Sequence, residues 1–207
     1  MPRPKSLTTA GLADAAIAVI DRDGLPALSM RSVATELGLS TMALYRYVRD
    51  RDELELMVVE GVLRPLDTTP PPADSPWPER IATMADRVRV TVGRHPGVVP
   101  LLLRHRQDSI TTLRWSEAVL TILTEAGWTA TGRAIALRAL ISYLNGAIQL
   151  EHLGALAGSG TATIAALPVA EFPLLAATAK VARQVSPAAE FTGGLRILLA
   201  GLADSVT

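Results

Sequence analysis

The 207-residue chain carries 49% hydrophobic side chains and equal numbers of basic and acidic residues, 20 of each, which marks a folded globular protein without the overall positive field that condenses onto nucleic acid. The absence of cysteine excludes disulfide frameworks, thiolate zinc sites, iron–sulfur clusters and cysteine nucleophiles. There is no apolar leader, and the longest apolar candidate, Val98–Leu103, is short and contains Pro100, so a cytoplasmic protein with no membrane partner is expected.

In chain order, Thr8 or Thr9 opens a first helix in which Leu12, Ala16, Val19 and Ile20 recur at helical spacing until Gly24. Ser29 caps a second, Met30–Leu37, with Leu28 and Val33 placed as a hydrophobic staple and Gly38 as the stop. Ser40 opens a third, Thr41–Val48, with Leu39 and Leu44 as its staple, and Asp50 followed by Glu53 predicts a capping box at the start of a fourth helix ending near Leu63. The run PLDTTPPPADSPWP over 65–78 cannot continue a helix and brings no core, so it reads as a linker between a domain over 1–64 and one over 79–207. The second domain is expected to hold helices Glu79–Arg94, Val98–Arg104, Ser109–Ala126, Thr131–Leu156, Glu171–Val185 and Phe191–Val206. A small-residue stretch over 155–168 reads as a mobile loop, and His95 reads as a helix-end cap before Pro96. The fold class is all-α.

Two short helices joined through Gly38-Leu39-Ser40 have the layout of a helix-turn-helix. Ala34 admits the close crossing of the two, Gly38 supplies the left-handed turn residue, and Val33, Leu44 and Val48 face the small core. Thr41, Met42, Tyr45, Arg46 and Arg49 are then left on the outer face, where arginine can pair with guanine and methyl-bearing side chains can touch thymine. Between Ser40 and Arg51, three arginines (Arg46, Arg49, Arg51) face one Asp50, a locally positive surface on a neutral molecule. The same spacing is also compatible with a three-helix core carrying a solvated arginine face.

The segment LTTAGLADAAIAVIDRDGLPALSMRSVATELGLSTMALYRYVRDRDELE, Leu7–Glu55, resembles the DNA-binding domain of the tetracycline-repressor (TetR) family along its whole length: a Gly ends the first helix, S-x-R opens the second, L-G-L-S turns into the third, and L-Y-x-Y-V with a charged pair leads to the fourth. The resemblance implies a homodimeric transcriptional regulator, most simply a repressor, that binds a palindromic double-stranded operator and answers to a small-molecule effector. It also implies that Ser40–Val48 is the recognition helix. In that reading Thr41, Met42 and Ala43 address base edges, Tyr45 and Tyr47 touch phosphates or thymines, and Arg31 and Arg51 contact phosphates or bases. Arg3 and Lys5 form an arm ahead of the first helix, or an ordinary solvated terminus. Positions that resemble the drug and magnesium contacts of the family's founding repressor hold Met84, Val88, Leu102 and Val119, which ligate no metal, so neither a magnesium–tetracycline ligand nor any cofactor is expected.

For the large domain, Met84, Val88, Leu102, Val119 and Ile122 are candidate apolar pocket walls, and His105, Trp115, Tyr143, Asn145, Gln149 and His152 are candidate polar or aromatic lining. Asn145, Gln149 and His152 share one helix face, which could equally be a polar seam or a dimer contact. The family pairs the Thr131–Leu156 and Phe191–Val206 helices across a two-fold axis, and Leu195, Leu198, Leu199 and Leu202 supply the stripe for it, unless that stripe packs within its own subunit. With three histidines and no H-E-x-x-H, G-x-S-x-G, phosphate loop or paired-carboxylate motif, no catalytic constellation is visible, and the chain is not expected to be an enzyme. An effector-independent architectural DNA-binding protein is the alternative, although that role does not require a hydrophobic domain twice the size of the reader.

Overall fold

The computed structural model describes residues 8–203, which contain helices and no strand. The arm residues Arg3 and Lys5 and the expected helix end at Val206 lie outside the described residues. The chain divides into two compact units, one running up to Thr69 and including Arg87–Ala118, the other formed by Pro70–Asp86 and Val119 onward. One boundary falls inside the proline-rich run, between Thr69 and Pro70, but Arg87–Ala118 rejoins the first unit, a return that composition does not indicate.

In the first unit the polar punctuation works as read. Thr8 Oγ1 accepts from Gly11 N at 3.1 Å to open α1 (Thr9–Asp23), and Gly24, at φ +82°, closes it. Ser29 and Ser32 cap reciprocally at the start of α2 (Met30–Glu36), a serine standing where the box usually has Glu or Gln. At its end, Gly38 (φ +66°) donates to Thr35 O and Leu39 N to Ala34 O, the paired bonds of a Schellman turn. Beyond that turn Leu39 stays 37% exposed while Leu44 is fully buried. The regular part of α3 is also shorter than its sequence pattern predicts, Thr41–Leu44. Beyond it Arg46 N and Tyr47 N switch to acceptors three residues back, so the chain continues to Val48 as a tightened turn.

Asp50 accepts from Glu53 N at 2.9 Å to open α4 (Arg51–Leu63). Glu53 does not complete the expected box on Asp50; its carboxylate reaches one residue further back, to Arg49 N at 2.7 Å. Helix α4 lies close against α1: a Cβ placed on Gly61 would stand 2.9 Å from Ala13 Cβ. The unit continues with the later part of α5 (Trp77–Val92), a 3-10 turn Pro96–Val98, α6 (Val99–Arg104) and the first half of α7 (Ile110–Glu125). His95 occupies the N-cap position of that 3-10 turn, but its side chain makes no capping bond; its Nδ1 sits 2.7 Å from Asp21 on α1.

In the second unit Gly127 (φ +84°) ends α7 with another Schellman turn, carrying Trp128 into an edge-to-face contact with Trp77. Arg80, itself buried, donates to Pro71 O and pairs with Glu125 at 2.6 Å, so the proline-rich run is strapped down where it meets this unit. Helix α8 (Ala130–Leu153) buries Ala136, Leu140, Leu144 and Ile148 along one face. The stretch read as a loop contains a short helix, α9 (Ser159–Ala165), which packs on α10 (Pro173–Ala182). Helix α11 (Pro187–Ala203) starts ahead of Phe191 because Ser186 Oγ accepts from Ala189 N and Pro187 takes the first helical position. No described helix is long and apolar enough to cross a membrane.

Candidate functional site

The α2–turn–α3 segment is held from beneath by Val33, Ala34, Leu44 and Val48, all buried. That anchoring fixes which way α3 presents its other side chains. Met42 is 77% exposed, Tyr45 and Tyr47 are about half exposed, Arg46 is exposed, and Thr41 and Ala43 are half-buried between them. Ser40 Oγ accepts from Ala43 N as the cap, leaving its own proton available to donate. Arg31 at the start of α2 is exposed, and among the described residues neither it nor Arg46 carries an ion pair. The basic patch is smaller than a charge count indicates: Arg49 pairs with Glu53 at 3.1 Å and Arg51 with Glu55 at 2.8 Å. Glu53 is held below the ordinary glutamate range, first by the backbone hydrogen bond from Arg49.

Two acidic side chains of α4 that sequence reasoning passed over organise this unit. Glu55 is fully buried, and three basic groups converge on it: Arg51 Nε on Oε1 at 2.8 Å, Arg104 Nη1 on Oε2 at 2.8 Å, and His105 Nε2 near Oε2 at 3.1 Å. Burial alone raises this carboxyl, and the bonds from Arg51, His105 and Arg104 outweigh it, so it lies below the ordinary range and is an ion at neutral pH. One turn and a little further on, Glu60 accepts from Ser109 Oγ and Thr111 Oγ1, each at 2.6 Å, and from Thr111 N at 3.3 Å, a carboxylate seated on the N-terminus of α7. The signal for Glu55 was present in its register, since it shares a face with Val58, Val59 and Val62, where only a paired carboxylate can sit. Asp52, Glu55 and His105 come close enough to suggest a cation site. However, Arg51 and Arg104 already occupy both Glu55 oxygens, and an added cation would face two guanidinium charges.

The candidate pocket residues are distributed over both units. In the first unit Trp115 is buried and Val88 and Leu102 are half-buried, while the His105 ring is engaged by Glu55, with Asp108 3.9 Å from its other nitrogen. In the second, Met84, Val119 and Ile122 are fully buried. Asn145 and Gln149 are half-buried, Asn145 donating to Ile141 O of its own helix, and His152 is exposed. Tyr143 donates to Phe191 O and borders an apolar groove of about 320 Å³ between α8 and α11, whose floor includes Gly146 and Gly194. Of the α11 stripe, Leu195 and Leu199 are buried in the chain's own core against α8, Leu198 and Leu202 are half-buried, and Ile197 is 73% exposed.

Compared with known proteins, residues 12–56 match the family described as bacterial regulatory proteins, tetR family, and residues 69–206 match the tetracyclin repressor-like C-terminal domain. The HTH-type transcriptional repressor DrrR1 of Streptomyces coeruleorubidus is 32% identical over 150 residues, covering 72% of this chain and 55% of DrrR1, so the match spans about half of that relative. The class A tetracycline repressor from transposon 1721 of Escherichia coli is 28% identical over 202 residues, 91% of this chain and 87% of the repressor. Among solved structures, a possible TetR family transcriptional regulator from Streptomyces coelicolor A3(2) superposes with TM-score 0.84 at 27% identity, covering 96% of this chain and all of that one. ActR of S. coelicolor in complex with (S)-DNPA superposes with TM-score 0.81 at 25% identity, covering 98% and 100%. With family matches over both its helix-turn-helix and most of the remaining chain, this protein belongs to the TetR family of transcriptional regulators, which are not enzymes.

Proposed function

We propose that the chain is a repressor that binds a palindromic operator as a homodimer and releases it on binding a small apolar or amphipathic molecule, with the reader in 1–64, the linker in 65–78 and sensing and dimerisation in 79–207. The observation that carries the reading is the outer face of α3. A large apolar side chain, two tyrosines and an unpaired arginine face water beside a fully packed inner face, an arrangement that gains free energy only when something covers it. Thr41, Met42, Ala43 and Arg46 read base edges, Tyr45 and Tyr47 touch phosphates or thymines, and Ser40, Arg31 and Arg51 hold the backbone.

Dimerisation is supported by the exposed apolar residues Ile135, Leu150 and Leu153 of α8 and Ile197 of α11, with Leu198 and Leu202 partly open beside them. Leu195 and Leu199 support the face from behind. A cytoplasmic site of action follows from the operator reading. Effector sensing is supported by the buried apolar side chains Met84, Val119 and Ile122 and by the ligand complexes solved for ActR, with (S)-DNPA and with actinorhodin. The test is selection of duplexes from a random pool, followed by gel shifts with Arg46→Ala. A palindromic consensus and a loss of roughly 1–3 kcal/mol are expected; a variant that binds the selected duplex like the wild type would remove α3 as the reader.

A further inference from the structure

Arg51 stands where a phosphate contact is expected, yet its guanidinium is engaged within the protein. It donates to Glu55, four residues on. Four residues are roughly 6 Å of helix rise, so the group is drawn back from the N-terminal end of α4 that faces the DNA in the helix-turn-helix reading. On the far side of the same carboxylate stand Arg104 and His105 of α6. A fully buried carboxylate needs at least one such partner at all times. Glu55 has three for two oxygens, so one can leave without orphaning it, and Arg51, 55% exposed and alone on Oε1, is free to do so while Oε2 stays held.

We infer that Glu55 is a positioning residue that partitions Arg51 between the protein interior and operator phosphate, and that α6 sets the partition. While Arg104 and His105 remain on Glu55, Arg51 can swing to a phosphate. When α6 withdraws, Glu55 holds Arg51 as its remaining partner, and each subunit gives up one backbone contact. A metal ion does not fit the same residues, because the two guanidiniums already face the carboxylate from both sides. The inference rests on the DNA-binding reading of α3 and α4 and adds a specific ion-pair exchange to it.

The test uses the full chain and a duplex selected by the wild type from a random pool, with affinity measured by fluorescence anisotropy across a salt series. Glu55→Gln releases Arg51 and should tighten binding about 5-fold, with a salt slope steeper by about one unit per subunit. The gain should vanish when Arg51→Ala is added. Arg104→Met should weaken binding about 3-fold in the wild-type background and have no effect beside Glu55→Gln, the signature of a shared partner. A folded Glu55→Gln variant that binds no tighter, or a gain that survives Arg51→Ala and so reflects net charge alone, overturns the inference. If Glu55→Gln does not fold, Arg104→Met decides, and unchanged affinity overturns it. Wild-type affinity in Arg46→Ala and Arg51→Ala together would instead remove the DNA-binding reading and the inference with it, whereas failure confined to the Glu55 and Arg104 variants leaves that reading standing.

Discussion

Gly61→Ala sets two opposing terms against each other, and the structure decides between them. In the interior of an exposed helix the change is expected to stabilise by roughly 1 kcal/mol, because alanine loses less backbone entropy. Here the new methyl would lie 2.9 Å from Ala13 Cβ and 3.2 Å from Ile17 Cδ1, against a comfortable carbon–carbon separation of about 3.5–4.0 Å. Ile17 can rotate its terminal methyl aside, but Ala13 Cβ is fixed to the α1 backbone, so α1 and α4 must move apart by several tenths of an ångström. Overpacking of this kind costs about 1–3 kcal/mol. The net expectation is a loss of about 1 kcal/mol, seen as a melting point lower by roughly 2–4 °C for a chain of this size. Gly160→Ala in α9, where an added Cβ meets no atom within 4 Å, should instead gain about 0.5 kcal/mol. Ala13→Gly in the Gly61→Ala background should recover the contact term, giving a non-additive cycle. A Gly61→Ala protein that melts higher than wild type would show that the two helices do not touch there.

Glu60→Ala leaves the buried Ser109 hydroxyl and the Thr111 hydroxyl and amide without their acceptor; a loss of about 2–3 kcal/mol is expected in urea unfolding, and Glu60→Gln should recover part of it. Gly38→Ala, forced into φ +66°, should cost roughly 1 kcal/mol in the same assay and weaken operator binding by disturbing the turn before α3. Because the folded-state pKa of Glu55 is depressed, its contribution is complete above the ordinary glutamate value of about 4.3 and is lost as pH falls through the lower folded value. The urea midpoint should therefore drop as pH is lowered below about 4, and less steeply in Glu55→Gln. Ile197→Arg places a charge on the open face of α11 and should give a monomer in sedimentation velocity, whereas an unchanged dimer would move the interface elsewhere.

The reader was legible because its information is local. Thr8, Ser29, Ser40 and Asp50 each act within three residues of themselves, and Gly24, Gly38 and Gly127 end helices by a backbone conformation that glycine alone adopts cheaply. Long-range relations are not legible in this way. The i, i+4, i+7 pattern of Asn145, Gln149 and His152 correctly joins them on one face of α8, but periodicity does not say which face the rest of the chain covers, and the covered one is Ala136, Leu140, Leu144 and Ile148. The α11 stripe likewise divides only in three dimensions: Leu195 and Leu199 turn into the chain's own core, while Leu198 and Leu202 stay half-buried. His105 looked like pocket chemistry because its partner, Glu55, lies 50 residues away in sequence, and no local rule connects the two.

The two carboxylates of α4 bear on how such a regulator can be recombined. Grafting its reader onto a foreign sensing domain with a junction just after Leu63 would separate Glu55 from Arg104 and His105, and Glu60 from Ser109 and Thr111. The graft would then carry a buried negative charge with two of its three partners missing and an acceptor facing a stranger's helix start. A chimera should therefore take residues 104–111 together with the reader, or replace Glu55 and Glu60 with the residues native to the recipient. The interchangeable part of this protein is a discontinuous one, defined by which side chains complete each other rather than by where the chain crosses its proline-rich segment.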